Sequence, residues 1–244
     1  MEAASVWTNC LDLIEGTTPG LWPIVGLSLR VTLSAVTIAA LVGLPVGALL
    51  AISRFPGRTA LVVAINTAMG LPPVVAGLLL YLLLSRSGPL GLLGWLFTPT
   101  AMILAQAVLV TPIVVALTRQ VVEDLWREYA EHLASLDLVG LRAVPTLLWD
   151  ARFSLATSLL AGFGRASAEV GAVLIVGGNI AGHTRVMTTA IALETSKGDL
   201  PLALALGAVL LWVVLCLNAC IAVLRRWRIR REGSFAGSSG VISA

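Results

Sequence analysis

Runs that are nearly free of acids and bases alternate along the chain with short charged clusters. Five such runs, at residues 31–52, 60–84, 99–118, 153–178 and 203–224, reach or exceed the roughly 20 residues that a helix needs to cross a hydrocarbon core. The pattern predicts an all-α integral membrane protein with five transmembrane helices. The first helix can begin as early as Pro23, leaving Arg30 near the boundary, where a long side chain reaches the headgroups. The semi-polar stretch 177–200 fits a loop, a re-entrant segment or a sixth span. Pro45, the pair Pro72 and Pro73, and Pro112 fall inside predicted spans and mark places where a helix can be broken or wetted. Gly43 and Gly47 are four apart, a spacing that lets two helices approach closely.

Composition agrees with a bilayer as solvent. Of 244 residues, 58% are hydrophobic and 12% charged, about half the charged fraction of a soluble domain. Cys10, Cys216 and Cys220 are too few and scattered for a disulfide framework, and are expected to be packing residues with no metal role. Glu2, Asp12 and Glu15 precede the first basic residue, Arg30, so no signal peptide is expected. Residues 1–244 are expected to form a single transmembrane domain.

Basic residues orient the spans, because short loops rich in Lys and Arg stay cytoplasmic. With the N-terminus outside and the C-terminus inside, the cytoplasmic set is Arg54, Arg58, Arg119, Arg127, Arg142, Arg152, Arg225, Arg226, Arg228, Arg230 and Arg231, which is eleven of the 16 basic residues. Arg86, Arg185 and Lys197 fall outside. The expected arrangement is therefore N-out and C-in, with a basic cytoplasmic tail at 225–244.

The longest internal polar segment, 119–152, is then cytoplasmic. Leu125, Tyr129, Leu133 and Leu136 recur at helical spacing between acids and bases, and Gly140 and Pro145 punctuate the rest of the segment. A helix, a turn and a short second helix at the membrane face would present a knob to a soluble partner. The placement resembles the coupling loop of ABC importer permeases, in which Glu-Ala-Ala is followed by a glycine. Two registers carry the resemblance. One runs through Glu128, Tyr129 and Ala130, with Ala134 where the glycine falls. The other starts at Glu131 and puts Asp137 there. The resemblance implies that Glu128 to Gly140, including Leu133 and Leu136, contacts an ATPase subunit.

A second resemblance covers Gly162 to Asp199, GFGRASAEVGAVLIVGGNIAGHTRVMTTAIALETSKGD, and is to the permeases of tungstate-type importers, with molybdate permeases sharing a looser version. It implies a homodimer in a bacterial cytoplasmic membrane, two ATPase subunits carrying ATP and magnesium below, and an extracytoplasmic oxyanion-binding protein above. No cofactor in this chain and no nucleic acid are implied.

The same stretch has its own chemistry. Counted along a helix, Arg165 lies roughly 18 Å beyond Phe153, with Glu169 one turn further. The pair either locks two helices together or lines a wet pathway. The glycines around Asn179 permit tight turns whose backbone donors suit an anion-binding nest. His183, Thr184, Arg185, Thr188 and Thr189 add hydroxyl and cationic groups suited to a tetrahedral dianion. The alternative for His183 and Arg185 is an outer gate or a docking surface.

Other classes fit less well. No Gly-x-x-x-x-Gly-Lys-Ser/Thr phosphate loop occurs, so the chain is not an ATPase of that chemistry. An ion-coupled secondary transporter or channel would want several intramembrane acids and often an internal repeat, whereas Glu169 is the single clear acid deep in a predicted span. An intramembrane enzyme is disfavoured because His132 and His183 fall on opposite sides.

Overall fold

The computed structural model of the chain describes residues 21–135 and 140–236, apart from the side chains of 217, 220–222 and 224–236. Cys10, Leu136 and Asp137 lie outside the described residues, as does the side chain of Cys220. Among the described residues the regular elements are all helical: α1 (Leu21–Ile52), α2 (Arg58–Met69), α3 (Pro73–Leu84), α4 (Pro99–Ser135), α5 (Val144–Asp150), α6 (Arg152–Ser167), α7 (Gly171–Gly177), α8 (Met187–Lys197) and α9 (Leu200–Ala236), with 3-10 turns at Gly91–Leu93 and Gly140–Ala143.

Among the described residues two helices, α1 with 32 residues and α4 with 37, are long and apolar enough to cross a membrane unbroken. They lie against each other through the small residues of α1. A methyl group at Gly43 would stand 2.8 Å from Val114 Cγ1, and one at Gly47 would stand 2.7 Å from the Val115 carbonyl oxygen. The small-residue spacing in the sequence is thus the α1–α4 contact. Pro45 and Pro112 are both accommodated within unbroken helices.

Two of the five predicted spans are not continuous. The stretch 60–84 divides into α2 and α3, bent by 102°. Pro72 and Pro73 supply the reason: neither has an N–H to continue the α2 ladder, Pro72 holds extended backbone (φ −60°, ψ 126°), and Pro73 opens α3 where a missing N–H costs nothing. The stretch 153–178 divides into α6 and α7, bent by 59°. Residues 187–197, part of the semi-polar stretch, form the short helix α8.

The core has two ends. Ala172, Val173 and Val176 of α7 are inserted among Ala76 and Leu80 of α3 and Ala101, Met102 and Ala105 of α4. Gly77 makes that insertion possible, since a methyl there would come within 2.7 Å of Ala172 Cα. At the other end, Ala48 and Ala51 of α1, Val122 and Leu133 of α4, and Ala143 and Leu147 form a separate cluster. Pro23 and Ala51, near the two ends of α1, are roughly 42 Å apart at 1.5 Å per residue, more than a hydrocarbon core is thick. Leu41 of α1, Leu82 of α3 and Leu211 of α9 are exposed, a surface suited to lipid or protein, not to water.

Candidate functional site

The break between α6 and α7 is built around Glu169. Its Oε1 accepts a hydrogen bond from the Ala172 backbone N–H at 3.0 Å, and its Oε2 accepts one from Arg165 Nη1 at 2.8 Å. The residue is only 3% exposed. Both carboxylate oxygens are therefore engaged by protein, one of them at the start of α7, where unpaired N–H groups favour an anion. Arg165 and Glu169 form the predicted i,i+4 pair, but Glu169 stands past the end of α6 at Ser167, not one turn along it.

Peptide groups freed by the break find partners on other elements. Gln106 Nε2 of α4 donates to the Ala166 carbonyl at 3.1 Å, and Thr188 Oγ1 of α8 donates to the Glu169 carbonyl at 3.0 Å. Sequence reasoning missed Gln106. Its signal was a lone amide in the apolar run of α4, which has a hydrogen bond to find when buried. Gln106, whose Oε1 has no partner among the described residues, joins Ser28 and Thr32 of α1, Ser167, Thr188, and Leu210, Val213 and Val214 of α9 in lining a cavity of about 30 Å³. That volume holds about one or two waters.

Beyond α7 the chain reverses through Gly178 and Asn179, both with positive φ (71° and 51°). Gly178 is required twice over, because a methyl there would also stand 2.8 Å from Phe97 Cδ1. Thr184, fully buried, donates from Oγ1 to the Gly177 carbonyl at 2.6 Å and accepts from the Ile180 N–H at 2.9 Å. The N–H groups of His183, Thr184 and Arg185 all reach the Ile180 carbonyl. Asn179 Nδ2 donates to the Thr189 carbonyl, and Thr189 Oγ1 accepts from the Val186 N–H. The hydroxyls of Thr184 and Thr189 and these backbone donors thus hold the turn in shape, and that of Thr188 is committed to the break at Glu169, leaving less for an anion-binding nest than the glycine pattern suggested.

His183 and Arg185 are arranged differently. They line a cleft of about 360 Å³ between this turn and the start of α1, with Pro23, Ile24, Leu27, Ala181 and Gly182. Among the described residues the Arg185 guanidinium has no ion-pair or hydrogen-bond partner, and its Nε is buried. A planar fork of donors facing a roomy, partly apolar cleft can take two oxygens of a tetrahedral anion at once.

The segment 119–152 lies at the opposite end. Its first part continues α4, so there is no separate amphipathic helix up to Ser135. Glu128, Glu131 and Ala134 are exposed, and Tyr129 and Ala130 are half-buried. Leu133 is 6% exposed and packs inward against α1 and α5, so it belongs to the core and not to an outward surface. Gly140, with φ 60°, starts the turn into α5. Among the described residues of the segment, the large apolar side chains offered outward are Leu141, 64% exposed, and Trp149, 72% exposed. Arg152 stacks beside Trp149 and over Phe153, at 5.2 and 4.6 Å from the ring centroids.

No protein-family model matches the chain. Individual proteins do. The chain is 40% identical over 211 residues to the tungstate uptake system permease protein of Peptoclostridium acidaminophilum, covering 86% of this chain and 92% of that one. It is 42% identical over 162 residues to the tungstate uptake system permease protein of Campylobacter jejuni, covering 66% and 68%. Against the sulfate transport system permease protein of Salmonella typhimurium the identity is 32% over 233 residues, covering 90% and 81%.

Proposed function

Because the chain belongs to the family of ABC-importer permeases that serve tungstate and related anions, we propose that it forms the translocation pathway for an oxyanion, tungstate first and molybdate next. ATP is hydrolysed on two partner subunits, and a binding protein delivers the anion from outside. In this reading the chain pairs with a second copy in a bacterial inner membrane and crosses it five times, through α1, the α2–α3 pair, α4, the α6–α7 pair and α9. The N-terminus is outside and the C-terminus inside. The separation of the two ends along α1 supports that orientation: the turn after α7 packs near Pro23, whereas the arginine-rich segment packs near Ala51.

The observation that carries the reading within this chain is Arg185, a half-buried guanidinium with no partner among the described residues, facing a cleft large enough for a tetrahedral dianion. It receives the anion at the outer mouth. The hydroxyls of Thr32 and Ser167 and the second N–H of the Gln106 amide then offer neutral hydrogen bonds deeper in, where a cation would hold the anion too tightly to release it. Arg165 is not free for this role, because Glu169 neutralises it.

Arg185→Gln is expected to lower ATP-driven tungstate uptake about tenfold, the value of one charge-assisted contact of about 1.4 kcal/mol or more. The binding protein's own affinity for tungstate should not change. The check is uptake by proteoliposomes holding the permease, ATPase and binding protein. An unchanged uptake rate would remove Arg185 from the pathway.

A further inference from the structure

At the end of α1 that packs on α4, a single carboxylate is surrounded by arginines. Glu123 Oε2 lies 2.6 Å from Arg119 Nη1 and 3.7 Å from Arg58 Nη2, and its Oε1 lies 3.2 Å from Arg127 Nη2. Arg58 also donates from Nε to the Leu50 carbonyl at 2.8 Å, closing the end of α1. A cavity of about 280 Å³ opens beside this cluster, lined by Ser53, Arg54, Arg58, Glu123, Trp126 and Arg127. Three arginines and one acid line it, with Arg119 behind Glu123. Asp124, next in the chain, is exposed and does not line it. The cavity therefore carries an excess of positive charge that is unmatched among the described residues.

We propose that this cavity is a binding site for the phosphate of an anionic phospholipid. Its place favours a lipid over a free anion. The arginines stand where the apolar runs of α1 and α4 end, which is the depth of the headgroups. Phe55, between Arg54 and Arg58, is exposed at the same level. The apolar helix α2 begins at Arg58 itself and buries none of its residues, which leaves a surface for an acyl chain directly beside the phosphate. The site does not depend on what the permease carries.

The test is native mass spectrometry of the full chain, delipidated in detergent and titrated with dioleoylphosphatidylglycerol or dioleoylphosphatidylcholine. The unaltered protein should hold one phosphatidylglycerol about tenfold more tightly than phosphatidylcholine, and the R54Q/R127Q double variant should lose that preference. Both substitutions spare Arg58, which closes α1, and Arg119. The R54K/R127K variant keeps the charge and should keep the preference. The proposal is overturned if R54Q/R127Q retains the lipid like the unaltered chain, or if phosphatidylcholine is held equally well. It is also overturned if millimolar inorganic phosphate displaces the phosphatidylglycerol, which would assign the cavity to a free anion.

Discussion

Glu169→Gln is expected to lower the melting temperature of the folded chain sharply and to reduce the amount that accumulates in the membrane. The carboxylate is 3% exposed and holds three things at once: the Arg165 guanidinium, the Ala172 N–H at the start of α7, and the bend between α6 and α7. Neutralising it removes the partner of Arg165, itself about one-third exposed, and weakens the bond from the Ala172 N–H, a loss of about 2–3 kcal/mol, a sizeable share of a domain's total stability. Arg165→Met should cost less, because Arg165 is about one-third exposed and Glu169 keeps the Ala172 bond. In the double variant the loss should be smaller than the sum of the two. Thermal melts of the detergent-solubilised protein measure all three. Strictly additive losses would mean that the two charges do not act on each other, and that the bend is held mainly by Gln106 and Thr188.

Leu141→Asp with Trp149→Asp is expected to separate the permease from its ATPase without unfolding it. Both side chains point out of the fold at 64% and 72% exposure, and neither contributes to the cluster that joins α1, α4 and α5. Carboxylates introduced there are harmless in water. Buried against a partner groove they lack counter-charges and should weaken the contact by roughly 3 kcal/mol, about a hundredfold in affinity. Copurification of the ATPase should vanish while the melting temperature of the permease alone stays put. Leu133→Asp is the instructive contrast: it places a charge inside that cluster and should unfold this end of the molecule first, so any loss of ATPase binding would follow from the unfolding. If the outward pair can be changed with no loss of copurification, the coupling surface lies elsewhere on the segment.

Hydropathy locates the membrane segments well because it measures apolar length, and α1 and α4 each carry an apolar run about as long as a hydrocarbon core is thick. It is blind to direction. The run 60–84 stays apolar straight through Gly70, Leu71 and Pro72, so its 102° bend is visible only to someone who asks what two consecutive prolines do to a helix. The bend at 168–170 has no such mark. Ala168, Glu169 and Val170 carry no proline or glycine, and the break is stabilised from outside by Gln106, 60 residues away in sequence, and by Thr188, 19 away. Spacing alone reports neither.

The same limit applies to the chemistry. Helical periodicity shows that Leu125, Tyr129 and Leu133 share a face, but not that α1 and α5 cover it, so the pattern alone turns Leu133 toward a partner. The threonines after α7 look like ligands by type. Their hydroxyls prove to be committed to Gly177, Ile180, Val186 and Glu169, a matter of local turn geometry. Arg185 stays a candidate because nothing in the described fold answers its charge.

Uptake of labelled tungstate into proteoliposomes, with the permease, its ATPase and its binding protein reconstituted together, tests the central claim most directly. Uptake should require ATP on the ATPase side and the binding protein on the other, and should continue when proton and sodium gradients are collapsed. Uptake by the permease alone, driven by an ion gradient and indifferent to ATP, would contradict the account and make the chain a secondary transporter.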